Sequence, residues 1–166
     1  MVRVGVMSDS HGYVPVQAYS FFENVDVILH AGDIGGENVL EELRDMGKKV
    51  IAVYGNCDDR YIDSEVKGLL SFKIEDVSIL MTHIGGYPKH YNPDIKPYFK
   101  QEKPDIFICG HSHILKVMYD DEYNFLLINP GACGHQGFHQ VATLVRFEID
   151  GKDIRNMQIL DFDKFK

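Results

Sequence analysis

Three times in the first third of the chain, a short apolar run gives way to a polar, glycine-bearing turn and then to a helical pattern. Val2 to Met7 runs into Ser8-Asp9-Ser10-His11-Gly12, and Pro15 opens a helix over about Val16 to Asn24. Asp26 to His30 is a second strand, ending in Ala31-Gly32-Asp33-Ile34-Gly35-Gly36 before a helix from Glu37 to Met46, capped by Gly47. Lys49 to Tyr54 is the third strand, ending in Gly55-Asn56-Cys57-Asp58. Successive units of this kind demand parallel strands with crossover helices, and they place ligands at the strands' carboxyl ends.

The rhythm then changes. Leu69 to Ile74 and Val77 to Thr82 read as a hairpin through Glu75-Asp76, followed by His83-Ile84-Gly85-Gly86 and a proline-bearing loop from Tyr87 to Pro97. A short helix over about Asp94 to Lys103 precedes the apolar run Ile106-Phe107-Ile108-Cys109, which ends in Gly110-His111-Ser112-His113. Ile114 to Tyr119 pairs with Tyr123 to Asn129 around Asp120-Asp121-Glu122, and Val141 to Ile149 pairs with Ile154 to Leu160 about Asp150-Gly151. An α/β first part and a mostly antiparallel second part give two packed sheets flanked by helices. The 166 residues fit a single domain spanning the whole chain, with no linker or internal repeat.

The strand ends carry the chemistry. Asp9 and His11, Asp33, Asn56, His83, and His111 and His113 supply two carboxylates, one amide and four imidazoles from five segments. Taken singly, each has an ordinary reading: Asp9 and His11 as a helix cap, Gly32-Asp33 and Gly55-Asn56 as turns, His83 as a satisfied histidine. As an ordered set they suit two divalent ions sharing a carboxylate. The mixed nitrogen and oxygen donors fit Mn, Fe, Zn, Co or Ni better than Ca, and the lack of thiolate among them argues against a structural zinc site.

This ordered pattern resembles the calcineurin-like metallophosphoesterase superfamily, whose signature runs Asp-x-His, Gly-Asp, Gly-Asn-(His/Cys)-(Asp/Glu), His, Gly-His-x-His. The compact length and the Gly-Asn-Cys-Asp form look like its small bacterial and archaeal phosphodiesterase branch. The resemblance implies a four-layer α/β/β/α sandwich of two mixed sheets. It implies a first metal held by Asp9, His11, Asp33 and His113, and a second by Asp33, Asn56, His83 and His111, with Asp33 bridging and Mn the foremost candidate for both. Two such cations about 3.5–4 Å apart would hold a hydroxide for in-line attack on phosphorus. Asp33, Asn56, His83 and Cys57 are then the candidate catalytic residues, with the Asn56 amide free to donate to a phosphate oxygen.

Two departures bear on mechanism. Many relatives have His at the position of Cys57 and Asp at the position of Gly36, a pair thought to protonate the leaving group. With both halves missing, the expected substrates are small phosphodiesters with good leaving groups, because a free thiol near pKa ~8.5 is a weak substitute. Ile84 stands where some relatives have Gly or His, which touches only an outer contact.

The remaining histidines have less defined roles. His30 is expected behind the site rather than in it, while His90, His135 and His139 could line a cleft or sit in solvated loops; Lys89 could meet a substrate anion. The net charge of −8 disfavours a polymeric nucleic-acid partner or an anionic membrane surface. Three cysteines without a Cys-x-x-Cys, and a first strand beginning at Val2 with no signal-peptide pattern, point to a cytoplasmic setting without membrane association. A homodimer is the family habit. The competing function within the same superfamily is that of its retromer subunit: a scaffold for protein assembly that binds metal poorly.

Overall fold

The computed structural model describes residues 1–58 and 66–166. Two five-stranded mixed sheets face one another, with helices outside each. In the first sheet, β1 (Val2–Met7), β2 (Val27–His30) and β3 (Lys49–Ala52) are parallel. The long antiparallel pair β9 (Val141–Asp150) and β10 (Asp153–Asp163) extends that sheet on the other side of β1. In the second sheet, β5 (Val77–Thr82), β6 (Ile106–Ile108) and β8 (Phe125–Pro130) are parallel. Its edges, β4 (Leu69–Ile74) and β7 (Leu115–Asp120), are antiparallel to their neighbours. The helices are α1 (Val16–Phe21), α2 (Glu37–Asp45) and α3 (Lys96–Glu102).

Alternation along the strands divides the apolar side chains among three layers of packing. Val4, Val6, Val27 and Leu29 of the first sheet meet Ile79, Met81, Ile106, Ile108 and Ile128 of the second in a buried inter-sheet core. Met7 and Ile28 point the other way, against Ala18, Phe22, Val39, Leu40 and Leu43 of α1, α2 and their flanks. Leu80, Phe107, Phe125 and Leu127 pack under Phe99 of α3 with Tyr91 and Ile95. Gly5 is required by this layering, because a Cβ there would lie 2.7 Å from the Phe22 ring.

The expected architecture is the one observed, with element ends shifted. α1 stops at Phe21 because Phe22 turns inward and is fully buried. β3 stops at Ala52, opposite the last residue of β2, after which Tyr54 donates instead to Lys67 O. α3 begins at Lys96 because the Asn92 side chain takes the Asp94 N–H in a turn. None of the described helices is long and apolar enough to cross a membrane.

Candidate metal centre

The turns after β1, β2, β3, β5 and β6 converge, and backbone hydrogen bonds lock them together. Asp9, His11 and Gly12 donate to the carbonyls of Gly32, Asp33 and Ile34, and Gly110 donates to His83 O. The segment after β8 closes the back, with Cys133 and Gly134 donating to Ser8 O and Asp9 O. Such close interlocking leaves no room at Gly35, where a Cβ would lie 2.1 Å from Gly12 N at φ +91°.

Five of the expected ligand positions adopt left-handed backbone although none is glycine: Asp9 (φ 55°), His11 (46°), Asp33 (52°), His111 (72°) and His113 (62°). Each such residue costs on the order of 1 kcal/mol, and such outliers cluster where side chains must be aimed. Here they turn the ends of β1, β2 and β6 inward.

Each carboxylate is held by one oxygen and presents the other. Asp9 Oδ2 accepts from Ser8 Oγ (2.6 Å) and the His111 N–H (3.1 Å). Its Oδ1 faces His113 Nε2 at 3.2 Å, His83 Nε2 at 3.8 Å and His11 Nε2 at 4.0 Å. Asp33 Oδ1 accepts the Cys57 N–H at 2.9 Å, while Oδ2 faces His83 Nε2 at 3.2 Å and His11 Nε2 at 3.7 Å. His83 Nδ1–H donates to Ala31 O at 2.7 Å, so its Nε2 lone pair points at the two carboxylates. Asn56 joins through Oδ1, 3.1 Å from His111 Nδ1. All seven expected ligands are thus brought together, and two trios with mutually close donor atoms, Asp9–His11–His113 and Asp33–His83–His111, stand side by side.

The donor set fits divalent cations on a specific observation. Asp9 Oδ1 and His83 Nε2 are buried and have no hydrogen-bond partner among the described residues. A buried carboxylate oxygen and an imidazole lone pair would repel one another across such gaps, and a cation between them satisfies both. Burial disfavours charge on Asp33, but the His83 contact and the Cys57 N–H outweigh it and hold the carboxyl at about 2. Burial likewise works against a charged His83, yet the close approach of Asp33 and the charge of Asp9 raise its pKa.

Cys57 Sγ lies near donor atoms of His11 and Asp33. Burial, with the Asp33 charge beside it, pushes that thiol up. Gly36 presents no side chain at the other departed position. His139 approaches the cluster, its ring 5.1 Å from that of His113. His135 stacks on Tyr13 at 4.1 Å and His90 packs on Tyr87 at 4.9 Å; Lys89 is exposed.

Three residues support the cluster from behind, and two of them, Asp58 and Asn129, had no role assigned from sequence. His30 is buried behind the turns: Nδ1 accepts the Gly32 N–H, so Nε2–H donates to Ser10 Oγ, whose hydroxyl donates to Ile34 O. Burial drives its pKa down to about 3, so it is a neutral brace, consistent with its expected place behind the site. Asp58 accepts three backbone N–H groups, from Ile34, Gly35 and Gly55, and joins the second turn to the third. Asn129 donates to Gly110 O and Ser112 Oγ and accepts from Gly131 N, fixing the His111–His113 turn. Asp58 has a sequence signal in its Gly-Asn-Cys-Asp context; Asn129 shows only an Asn-Pro-Gly turn.

A two-sheet α/β sandwich whose parallel strands deliver histidines and carboxylates to one metal-binding cleft defines a metallohydrolase class. The chain belongs to the calcineurin-like phosphoesterase superfamily, whose domain model matches residues 2–152. It is 35% identical over 135 residues to a probable metallophosphoesterase of Methanocaldococcus jannaschii, covering 78% of this chain and 67% of that one. It is 28% identical over 147 residues to a phosphodiesterase of the same organism, covering 80% and 84%. Among solved structures, an archaeal phosphodiesterase superposes with a TM-score of 0.74 at 27% identity, over 95% of this chain and 99% of that one. Vps29 from Entamoeba histolytica, solved with zinc, superposes with a TM-score of 0.75 at 19% identity over 97% and 98%, a likeness of fold.

Proposed function

We propose that this chain is a metal-dependent phosphodiesterase acting on small diesters with good leaving groups. The observation that carries it is the pair of buried, unpartnered atoms Asp9 Oδ1 and His83 Nε2, set among donor atoms from five strand ends. Asp9, His11, Asp33 and His113 would hold one divalent cation, and Asp33, Asn56, His83 and His111 a second, with Mn the first candidate. Bound there, the cations supply Lewis-acid neutralisation of phosphate oxygens and lower the pKa of water to about 7.

The chain's own groups do the orienting. Ser8, the His111 N–H and the Cys57 N–H each hold the outer oxygen of a carboxylate, so the inner oxygens keep their direction. Ala31 O fixes the His83 tautomer with Nε2 inward. With Oδ1 turned to the cations, the Asn56 NH₂ can donate to a non-bridging phosphate oxygen. Cys57 is the only proton-bearing side chain at the departed His/Asp pair, and its raised pKa makes it a weak acid toward an alkoxide. Aryl leaving groups need no such help.

The cytoplasm suits its three free cysteines. A scaffold role has nothing specific to favour it, since all seven donor side chains are present and convergent. Metal-stripped protein is expected to hydrolyse bis(4-nitrophenyl) phosphate once Mn is restored and to lose that turnover in Asp33→Ala. No turnover with any divalent ion, in folded protein, would overturn the proposal. Rapid cleavage of duplex DNA or RNA with Mn would overturn the small-substrate preference.

A further inference from the structure

Beside the turn that carries His111 and His113 lies a pocket of about 230 Å³, walled by Gly86, Tyr87, Ser112, Ile114, Lys116 and Leu127. Ser112 sits between the two histidines, one peptide step of about 3.8 Å from each. Gly86 follows His83 by three residues, so the opposite wall also begins at a cluster residue. The pocket therefore lies beside the turn that carries two of the cluster's histidines, on the α3 side of the second sheet.

Its walls are fixed before anything binds. Asn129 clamps Ser112 Oγ and Gly110 O. On the facing side, Asn92 donates from its side chain to Ile84 O and from its backbone to Gly85 O, and Gly86 packs against His90 O and Tyr91. The floor is apolar, with Leu127 fully buried, while Ile114 and Tyr87 stand 63% and 48% exposed at the rim. The two exposed side chains give the pocket facing apolar rims that an apolar group can cover. Lys116 Nζ lies 5.1 Å from the centroid of the Tyr87 ring and forms no ion pair among the described residues. A flat ring sliding between Tyr87 and Ile114 would gain an aromatic face, an aliphatic face and a cation at its edge.

The geometry points to this pocket, bounded by Tyr87, Ile114 and Lys116, as the subsite for an aromatic ester substituent of the phosphate substrate. It rests on the phosphoesterase reading and makes that reading narrower: the diesters favoured are those carrying an aryl or heteroaryl group, and a purely alkyl diester leaves the subsite empty. At about 230 Å³ and with Lys116 as its one cation among the described residues, the pocket suits a single ring system rather than a polymer.

The test is calorimetric binding of phenylphosphonate and methylphosphonate to Mn-loaded protein, which share the phosphoryl group and differ in the ring. The phenyl compound is expected to bind at least tenfold tighter, and that preference is expected to fall to threefold or less in both Tyr87→Ala and Ile114→Ser. Two variants on opposite walls guard against one failing to fold, and circular dichroism reports on each. Equal affinity of the two phosphonates for the unmodified protein, undetectable binding of both included, overturns the inference, as does a preference that survives in both folded variants. Hydrolysis of bis(4-nitrophenyl) phosphate in the same preparation reports separately on the phosphoesterase reading, since turnover without ring preference sinks only the subsite.

Discussion

Asp33→Asn separates charge from shape at the centre of the cluster. Asparagine keeps the size, tolerates the left-handed backbone at φ 52°, and still offers Oδ1 to the Cys57 N–H. What it removes is a carboxylate held at about 2, against an ordinary 3.8, by His83 and that N–H in spite of burial. A depressed carboxyl contributes stability that is present above its unfolded value and lost as pH falls through its folded one. Linkage over that interval gives an upper limit of about 2.4 kcal/mol at pH 7, reduced to about 1–2 kcal/mol because repulsion from the Asp9 carboxylate nearby offsets part of it. Metal-free Asp33→Asn should therefore melt about 3–6 °C below the metal-free parent at pH 7. The gap should shrink by roughly half by pH 3. Added Mn should widen it, because only the parent gains the full stabilisation of a bound ion. Thermal melts by circular dichroism at pH 7, 5 and 3, with and without Mn, measure all of this. A metal-free variant as stable as the parent, or more so, would show that repulsion among the clustered acceptors outweighs the His83–Asp33 attraction, and the charge argument would fall.

Asp58→Ala should leave three turn N–H groups without their acceptor, costing about 2–4 kcal/mol and weakening Mn affinity about 10–100-fold, read by urea melts and metal titration. Combining Gly36→Asp with Cys57→His restores the absent acid pair. Since a Cβ at Gly36 meets only the flexible end of Asn38, the double variant should fold and gain at least tenfold on alkyl diesters relative to aryl ones. Equal gains on both would sink the leaving-group argument. Gly35→Ala should fail to assemble the site at all, seen as loss of Mn binding, because its Cβ would overlap Gly12 backbone.

The seven donor residues were legible because each follows an apolar run whose end the period-2 pattern locates, and the parallel topology brings such ends together. Their aim was not legible. That Asp9 and Asp33 each spend one oxygen on an N–H from a distant turn depends on positions 111 and 57, which share no periodicity with them. His30 reads as an apolar strand's last residue, and only its two hydrogen bonds reveal a brace between turns. Tyr87 lies in a loop and Ile114 just before β7, far apart in sequence, so their pocket exists only in the fold. Strand ends shifted by a residue or two where a neighbour ran out of partners, as β3 did opposite His30.

Left-handed backbone at Asp9, His11, Asp33, His111 and His113 has an evolutionary corollary. Glycine at any of these positions relieves conformational cost while abolishing a donor, so stability and chemistry pull the same codons in opposite directions. A duplicated copy released from selection for turnover would be free to take glycine at Asp9, His11, His111 or His113 and relax its backbone there, whereas at Asp33 the charge facing His83 opposes the change. The sandwich would outlive its catalysis, a ready-made rigid body for some other use.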